Sequence, residues 1–201
     1  MLTIIGDVHG LTDQYIKIAR KREYSLQIGD MNFSYTHMKA LDPDKHKFFA
    51  GNHDNYDLVG SCPNNIGDYG YRNIDGVSFF FVRGGISTDR HMRTEGKSWW
   101  RNEELSYREA SEAVQMYREY KPDLMITHQP PESVVAPMGF HRIFPSLTGQ
   151  LLNELLDIHR PKIWVFGHMH ISWEGKIGNT KFKCLNELET MELKPMYREK
   201  D

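Results

Sequence analysis

Five short segments of the chain each end a hydrophobic run on side chains that bind metals. They are Gly6-Asp7-Val8-His9-Gly10, Gly29-Asp30, Gly51-Asn52-His53-Asp54, Thr127-His128 and Gly167-His168-Met169-His170. Together they offer the carboxylates of Asp7 and Asp30, the amide oxygen of Asn52, and the imidazoles of His9, His128, His168 and His170, with His53 left over. Nitrogen and oxygen donors in this number suit two adjacent divalent ions, and the spare histidine suits a proton donor.

Singly, the segments are ambiguous. Asp7 and His9 stand at i and i+2, which on an extended strand end puts both on one face, but a simple Asx turn has the same spelling. Asp30 is placed to bridge two ions, although Gly-Asp follows many strands. A neutral amide such as Asn52 is an unusual ligand, and His53-Asp54 reads as an acid–base histidine beside a carboxylate; the alternative is a turn at Asn52 and a cap at Asp54. His128 alone would pass for a satisfied core histidine. His168 and His170 repeat the i, i+2 spacing after another apolar strand. Specificity lies in the conjunction, since each element follows a strand and brings one or two donors.

The elements that must carry these residues follow from periodicity. Short buried strands are expected at 2–5, 25–28 and 46–50, with a helix over 12–22 that buries Tyr15, Ile16, Ile18 and Ala19. Strand, helix and strand at this spacing make a βαβ unit and a parallel sheet, where ligands collect at the carboxyl ends of strands. Further strands are expected at 77–82, 124–127 and 163–166, and a closing hairpin near 171–177 and 181–185. Helices are expected over 103–120, stopped by Pro122, and over 147–159, followed by Pro161. Residues 55–76 read as loop with short irregular strands, 88–102 as a long polar stretch and 130–146 as loop. The expected organisation is one domain over residues 1–186, with a charged tail over 187–201.

At 201 residues the chain has the length of one domain with a full core, and its 39% hydrophobic and 26% charged residues are those of an ordinary globular protein. A formal net charge of −2 gives no basic surface for a nucleic-acid backbone; nucleic acid stays compatible as a partner without being indicated by charge. Cys62 and Cys184 form no CxxC pair and no membrane span or signal peptide is visible, so a cytoplasmic protein with unpaired thiols is expected.

The ordered set Asp7-x-His9, Gly29-Asp30, Gly51-Asn52-His53-Asp54, His128, Gly167-His168-x-His170 resembles the calcineurin-like metallophosphoesterase superfamily, in the form of its small stand-alone bacterial and phage members. The resemblance implies an α/β fold, a four-layer α/β/β/α sandwich of two mixed sheets flanked by helices. It also implies two divalent ions, manganese first and iron, zinc, nickel or cobalt also compatible. Asp7, His9, Asp30 and His170 would hold the first ion, and Asp30 would bridge to a second completed by Asn52, His128 and His168. A hydroxide bridging the ions would attack a phosphate ester in line, with His53 acting on the leaving group and Asp54 orienting it.

Where the superfamily divides, this chain leans away from the protein Ser/Thr phosphatases. Their second motif reads Gly-Asp-x-Val-Asp-Arg-Gly and their third Gly-Asn-His-Glu, whereas this chain reads Gly29-Asp30-Met31-Asn32-Phe33-Ser34 and ends the third motif on Asp54. The phosphate-gripping arginine is therefore missing from its place. Arg90, soonest after a strand end, is the first substitute, against the competing reading of a solvated loop pinned by Trp99 and Trp100. Arg142, in the loop after His128, is a second substrate-side candidate. With arginines near the site and no cap domain, phosphomonoester hydrolysis is slightly favoured; phosphodiester or nucleic-acid cleavage is the alternative. A non-catalytic binding module is disfavoured because every ligand and His53 are present.

Overall fold

Leu2–Ile5 is buried at all four positions, so its side chains must be covered on both faces. Ile4 contributes to one hydrophobic cluster and Ile5 to another, as the two-residue period of a strand requires. That division between two clusters is repeated through both sheets and gives the molecule its layers. The computed structural model describes residues 1–141 and 144–195.

The strands are β1 (Leu2–Ile5), β2 (Tyr24–Gln27), β3 (His46–Phe48), β4 (Tyr69–Ile74), β5 (Val77–Val82), β6 (Leu124–Thr127), β7 (Ile163–Phe166), β8 (Trp173–Ile177), β9 (Thr180–Cys184) and β10 (Thr190–Leu193). The helices are α1 (Thr12–Ala19), α2 (Tyr107–Tyr120), α3 (Glu132–Val135) and α4 (Leu147–Ile158). One sheet has the order β10-β1-β2-β3 and the other β4-β5-β6-β7-β9-β8. Within the first, β1, β2 and β3 are parallel and β10 runs antiparallel to β1. Within the second, β5, β6, β7 and β9 are parallel, with β4 and β8 as antiparallel edges.

Leu2, Ile4, Leu26 and Ile28 of the first sheet meet Phe79, Phe81, Leu124, Ile126 and Val165 of the second in one buried cluster. Ile5 and Phe48 turn the other way, onto Tyr15 and Ala19 of α1. Phe80, Val82, Met125 and Trp164 pack outward onto Tyr117 of α2 and the leucines of α4. Helix, sheet, sheet and helix thus stack in four layers, the architecture that the family resemblance implies.

Local chemistry sets the boundaries. Helix α2 starts at Tyr107, later than expected, because Ser106 closes a capping box with Glu109: Ser106 Oγ accepts from Glu109 N at 3.3 Å, and Glu109 Oε2 accepts from Ser106 N at 2.7 Å. Glu103 and Glu104, expected inside that helix, bond instead to Ser87 and to the amide of Thr148. One strand falls in the stretch read as loop with short irregular strands, and another in the expected tail. Tyr69–Ile74 pairs with β5, and Thr190–Leu193 pairs with β1 from Leu2↔Leu193 to Ile5↔Thr190. The tail expected from residue 187 therefore contributes a sheet edge: Leu193 joins the inter-sheet cluster, and the charged Glu192 faces outward.

Candidate active site

Both sheets present the carboxyl ends of their parallel strands to one edge, and the candidate donors gather there. Asp7 follows β1, Asp30 follows β2, Asn52 follows β3, His128 follows β6, and His168 and His170 follow β7. The backbone bends hard to aim them. His9, Asp30, His168 and His170 have φ of 45°, 57°, 67° and 51°, left-handed values that non-glycine residues adopt at a cost. Two glycines give the side chains room: a Cβ on Gly51 would fall on Asp30 Oδ1, and one on Gly167 on Asp7 Oδ1.

Two donor sets result. In the first, His9 Nε2 lies 2.8 Å from His170 Nε2, 3.6 Å from Asp7 Oδ2 and 3.5 Å from Asp30 Oδ2, while His170 Nε2 lies 3.5 Å from Asp7 Oδ2. In the second, Asn52 Oδ1 lies 2.9 Å from His128 Nε2 and 2.8 Å from His168 Nδ1, and His128 Nε2 lies 3.2 Å from Asp30 Oδ1. The Asp30 carboxylate thus turns one oxygen toward each set. Its Oδ2 is buried with no hydrogen-bond partner, which is costly for a carboxylate oxygen unless a cation answers it.

Neighbouring groups fix how these donors point. His128 Nδ1 donates to the Ile28 carbonyl at 3.0 Å, leaving Nε2 toward Asn52 and Asp30. Asn52 Nδ2 donates to Ser87 Oγ at 3.1 Å, so its Oδ1 faces the histidines; Ser87 in turn donates to Glu103 Oε2 at 2.6 Å. Ser87 and Glu103 are both buried. The Asp7 carboxylate accepts from His168 N at 3.0 and 3.2 Å, tying the end of β1 to the end of β7.

Charge follows the same arrangement. Burial works against a proton on His128, but the Asp30 and Asp7 carboxylates outweigh it and push its pKa up to about 9. On Asp30, burial is outweighed by His128, His53 and His9, which hold the carboxyl below the usual range. Burial, reinforced by the His128 charge, pushes His168 down to about 3. A divalent ion among these donors would compete with the proton that the carboxylates favour on His128. The donor chemistry, the unanswered Asp30 oxygen and the facing imidazole nitrogens fit divalent ions.

His53 donates its backbone N–H to Asp30 Oδ1 at 2.7 Å, and its Nε2 lies 3.3 Å from Arg93 Nη2. Burial lowers the His53 pKa; Asp30 opposes that and Arg93 adds to it. The expected His53–Asp54 pair is not formed. Asp54 Oδ2 accepts from Gly51 N at 2.7 Å, Asp54 Oδ1 accepts from Tyr35 Oη at 3.0 Å, and the amides of Met31 and Asn32 donate to the same carboxylate at 3.2–3.3 Å. Asp54 therefore ties the loop after β2 to the loop after β3 and does not orient His53. Burial and the Asp30 charge raise its pKa to about 6 despite these donors.

Arg90 is exposed at the start of a short turn. The guanidinium beside His53 belongs to Arg93, which is held by Asp89 through Nε–Oδ1 at 2.6 Å and Nη2–Oδ2 at 2.7 Å. Arg93 is one of several arginines in the polar loop, and no local signal separates it from Arg90. Trp100 is buried, with Nε1 donating to Asp57 Oδ2 at 2.8 Å, so it packs rather than stacks on a ligand. Arg142 lies outside the described residues.

Strand-end donors in two sets around a shared carboxylate, on a two-sheet sandwich, define a metal-dependent hydrolase. The chain belongs to the calcineurin-like phosphoesterase family, whose pattern matches residues 1–172. No curated protein sequence matches it. Among solved structures it is similar to the protein TT1561 of Thermus thermophilus, at 13% identity over 92% of this chain and 89% of that one, with a TM-score of 0.55. It is also similar to a phosphopantetheinyl hydrolase from Mycobacterium tuberculosis, at 14% identity over 92% and 89%, with a TM-score of 0.51. At such identities the likeness speaks for the fold.

Proposed function

We propose that the chain is a dinuclear phosphoesterase acting on a small phosphate ester, with a monoester preferred over a diester. The observation that carries this reading is the Asp30 carboxylate, set between two donor groups with one oxygen toward each. Asp7, His9, Asp30 and His170 would hold one ion, and Asp30, Asn52, His128 and His168 the other. Such mixed nitrogen and oxygen donors suit manganese, iron, zinc, nickel or cobalt, and manganese is taken first. When bound, the ions supply Lewis acidity to the phosphoryl oxygens and a water acidified toward neutrality.

The chain's own residues do the rest. His53 faces the cavity beside these donors, where its imidazole is placed to act on the leaving group. Arg93, 3.3 Å from His53, adds a fixed positive charge for a phosphate, and a monoester dianion gains more from it than a diester monoanion. The Arg93–Asp89 pair keeps that guanidinium in place. No described helix is long and apolar enough to cross a membrane. Cys62 and Cys184, both free thiols, support the cytoplasm as the setting.

The test is manganese-supplemented hydrolysis of p-nitrophenyl phosphate beside bis-p-nitrophenyl phosphate, with a chelated control. Chelator-sensitive turnover with a higher kcat/KM on the monoester is expected. Preference for the diester would replace the monoester reading with a phosphodiesterase. Turnover that survives full metal removal would overturn the dinuclear reading itself.

A further inference from the structure

The cavity beside the donor sets has a volume of about 400 Å³, within the range of roughly 300–1,000 Å³ common for small-molecule sites. Asp30, Asn52, His53, His168 and His170 line part of it. Much of the remaining wall is apolar: Ile86, Pro130, Val135, Phe140, Phe144 and Met169. These come from four places in the chain, namely the segment after β5, the segment after β6, the region of α3 and its following loop, and the turn between His168 and His170.

This wall is supported from behind. Phe140 and Met169 pack on the core cluster that includes Trp164 and the α4 leucines, and Pro130 is buried. Ile86 N donates to Gln129 Oε1 at 2.9 Å, which fixes the segment after β5 against the segment after β6. Metal and phosphate chemistry needs none of these apolar groups.

The geometry points to a substrate of defined class: a phosphate ester whose alcohol part is a small apolar or aromatic group, lying on the Ile86–Val135–Phe140 wall while its phosphate faces His53. This rests on the phosphoesterase reading above and adds what that reading leaves open, the chemistry of the group released. The apolar wall makes the length of that group a determinant of affinity.

The experiment uses n-alkylphosphonates, which keep one headgroup and resist hydrolysis. Binding of the ethyl, butyl and hexyl members to the manganese-loaded protein is followed by calorimetry. Affinity should rise about three- to fourfold for each methylene that the wall covers. Phe140→Ala should lower the hexyl-to-ethyl affinity ratio about tenfold, and Val135→Ser should lower it in the same direction. Equal affinity across the series, absence of binding by every member including hexyl, or tighter binding of a short oligothymidylate than of hexylphosphonate would each overturn the proposal. Loss of the phosphoesterase reading has a different signature: chain-length-dependent binding with no ester hydrolysed. Hydrolysis of alkyl phosphates with no chain-length dependence would remove the apolar-group proposal alone.

Discussion

Arg93 Nη2 stands 3.3 Å from His53 Nε2 while both oxygens of Asp89 grip the same guanidinium. The guanidinium that stands beside His53 therefore sits three residues beyond Arg90, the position the sequence favours. Arg93→Ala should lower kcat/KM on a phosphomonoester about 10- to 100-fold, or roughly 1.4–2.7 kcal/mol of transition-state stabilisation. Arg90→Ala should stay within about twofold of the parent. Steady-state kinetics of the two variants side by side checks this, and a larger loss in Arg90→Ala would return the role to that residue.

Asn52 presents its oxygen to the histidines because its nitrogen is taken by Ser87, and Ser87 is held by Glu103. Removing the hydroxyl frees the amide to turn its nitrogen toward the donors, where it would repel a cation. Ser87→Ala should therefore weaken the ion held by Asn52, His128 and His168 about tenfold or more, while the other ion stays bound. Ser87→Thr should restore it. Metal titration followed by manganese electron paramagnetic resonance separates a coupled pair from a single ion. In an Asn52→Ala background, Ser87→Ala should add no further loss, since both act through one group.

Asp54 and His53 are neighbours in sequence with unlike roles. Asp54→Ala leaves the buried amides of Met31 and Gly51 and the Tyr35 hydroxyl without their acceptor, so it should destabilise the fold by about 2–4 kcal/mol. His53→Ala should cut turnover about 10²- to 10⁴-fold with both ions retained. Denaturant unfolding read together with metal analysis distinguishes the two. Full activity in His53→Ala would remove it from the mechanism.

Proton and metal compete at His128, whose pKa is pushed up to about 9. A histidine raised in this way contributes stability to the metal-free fold that is fully present below its unfolded value near 6.5 and is lost as pH rises through about 9. Metal binding must displace that proton. Manganese affinity should thus climb between pH 6 and 8 by about tenfold per unit for one proton released. Competition titration against a chelator at several pH values measures it, and an affinity independent of pH would show that no proton leaves His128 on binding.

Much of this is legible without the structure because strand ends announce themselves locally. Val77–Val82, Leu124–Thr127 and Ile163–Phe166 have the bounds expected from their apolar runs; His128 follows the second directly, and His168 follows the third after Gly167. What stays hidden depends on partners distant in sequence. Thr190–Leu193 carries little hydrophobic signal of its own and becomes a strand by pairing with β1 at the other end of the chain. The Asn52–Ser87–Glu103 relay spans three loops, and nothing in the polar stretch after β5 marks Ser87 or Arg93 over its neighbours. Asp54 reads as a partner for His53 by adjacency, yet its side chain turns inward to the backbone amides of Met31 and Gly51.

Asp30 is placed to join two ions, and metal stoichiometry tests that role most directly. The parent protein, reconstituted with manganese and freed of excess metal, should hold two equivalents per chain by elemental analysis. Asp30→Asn, which keeps the shape but removes the carboxylate charge, should hold one or none and lose chelator-sensitive hydrolysis of p-nitrophenyl phosphate. Two equivalents retained in Asp30→Asn, or a single equivalent in a fully active parent, would contradict the account.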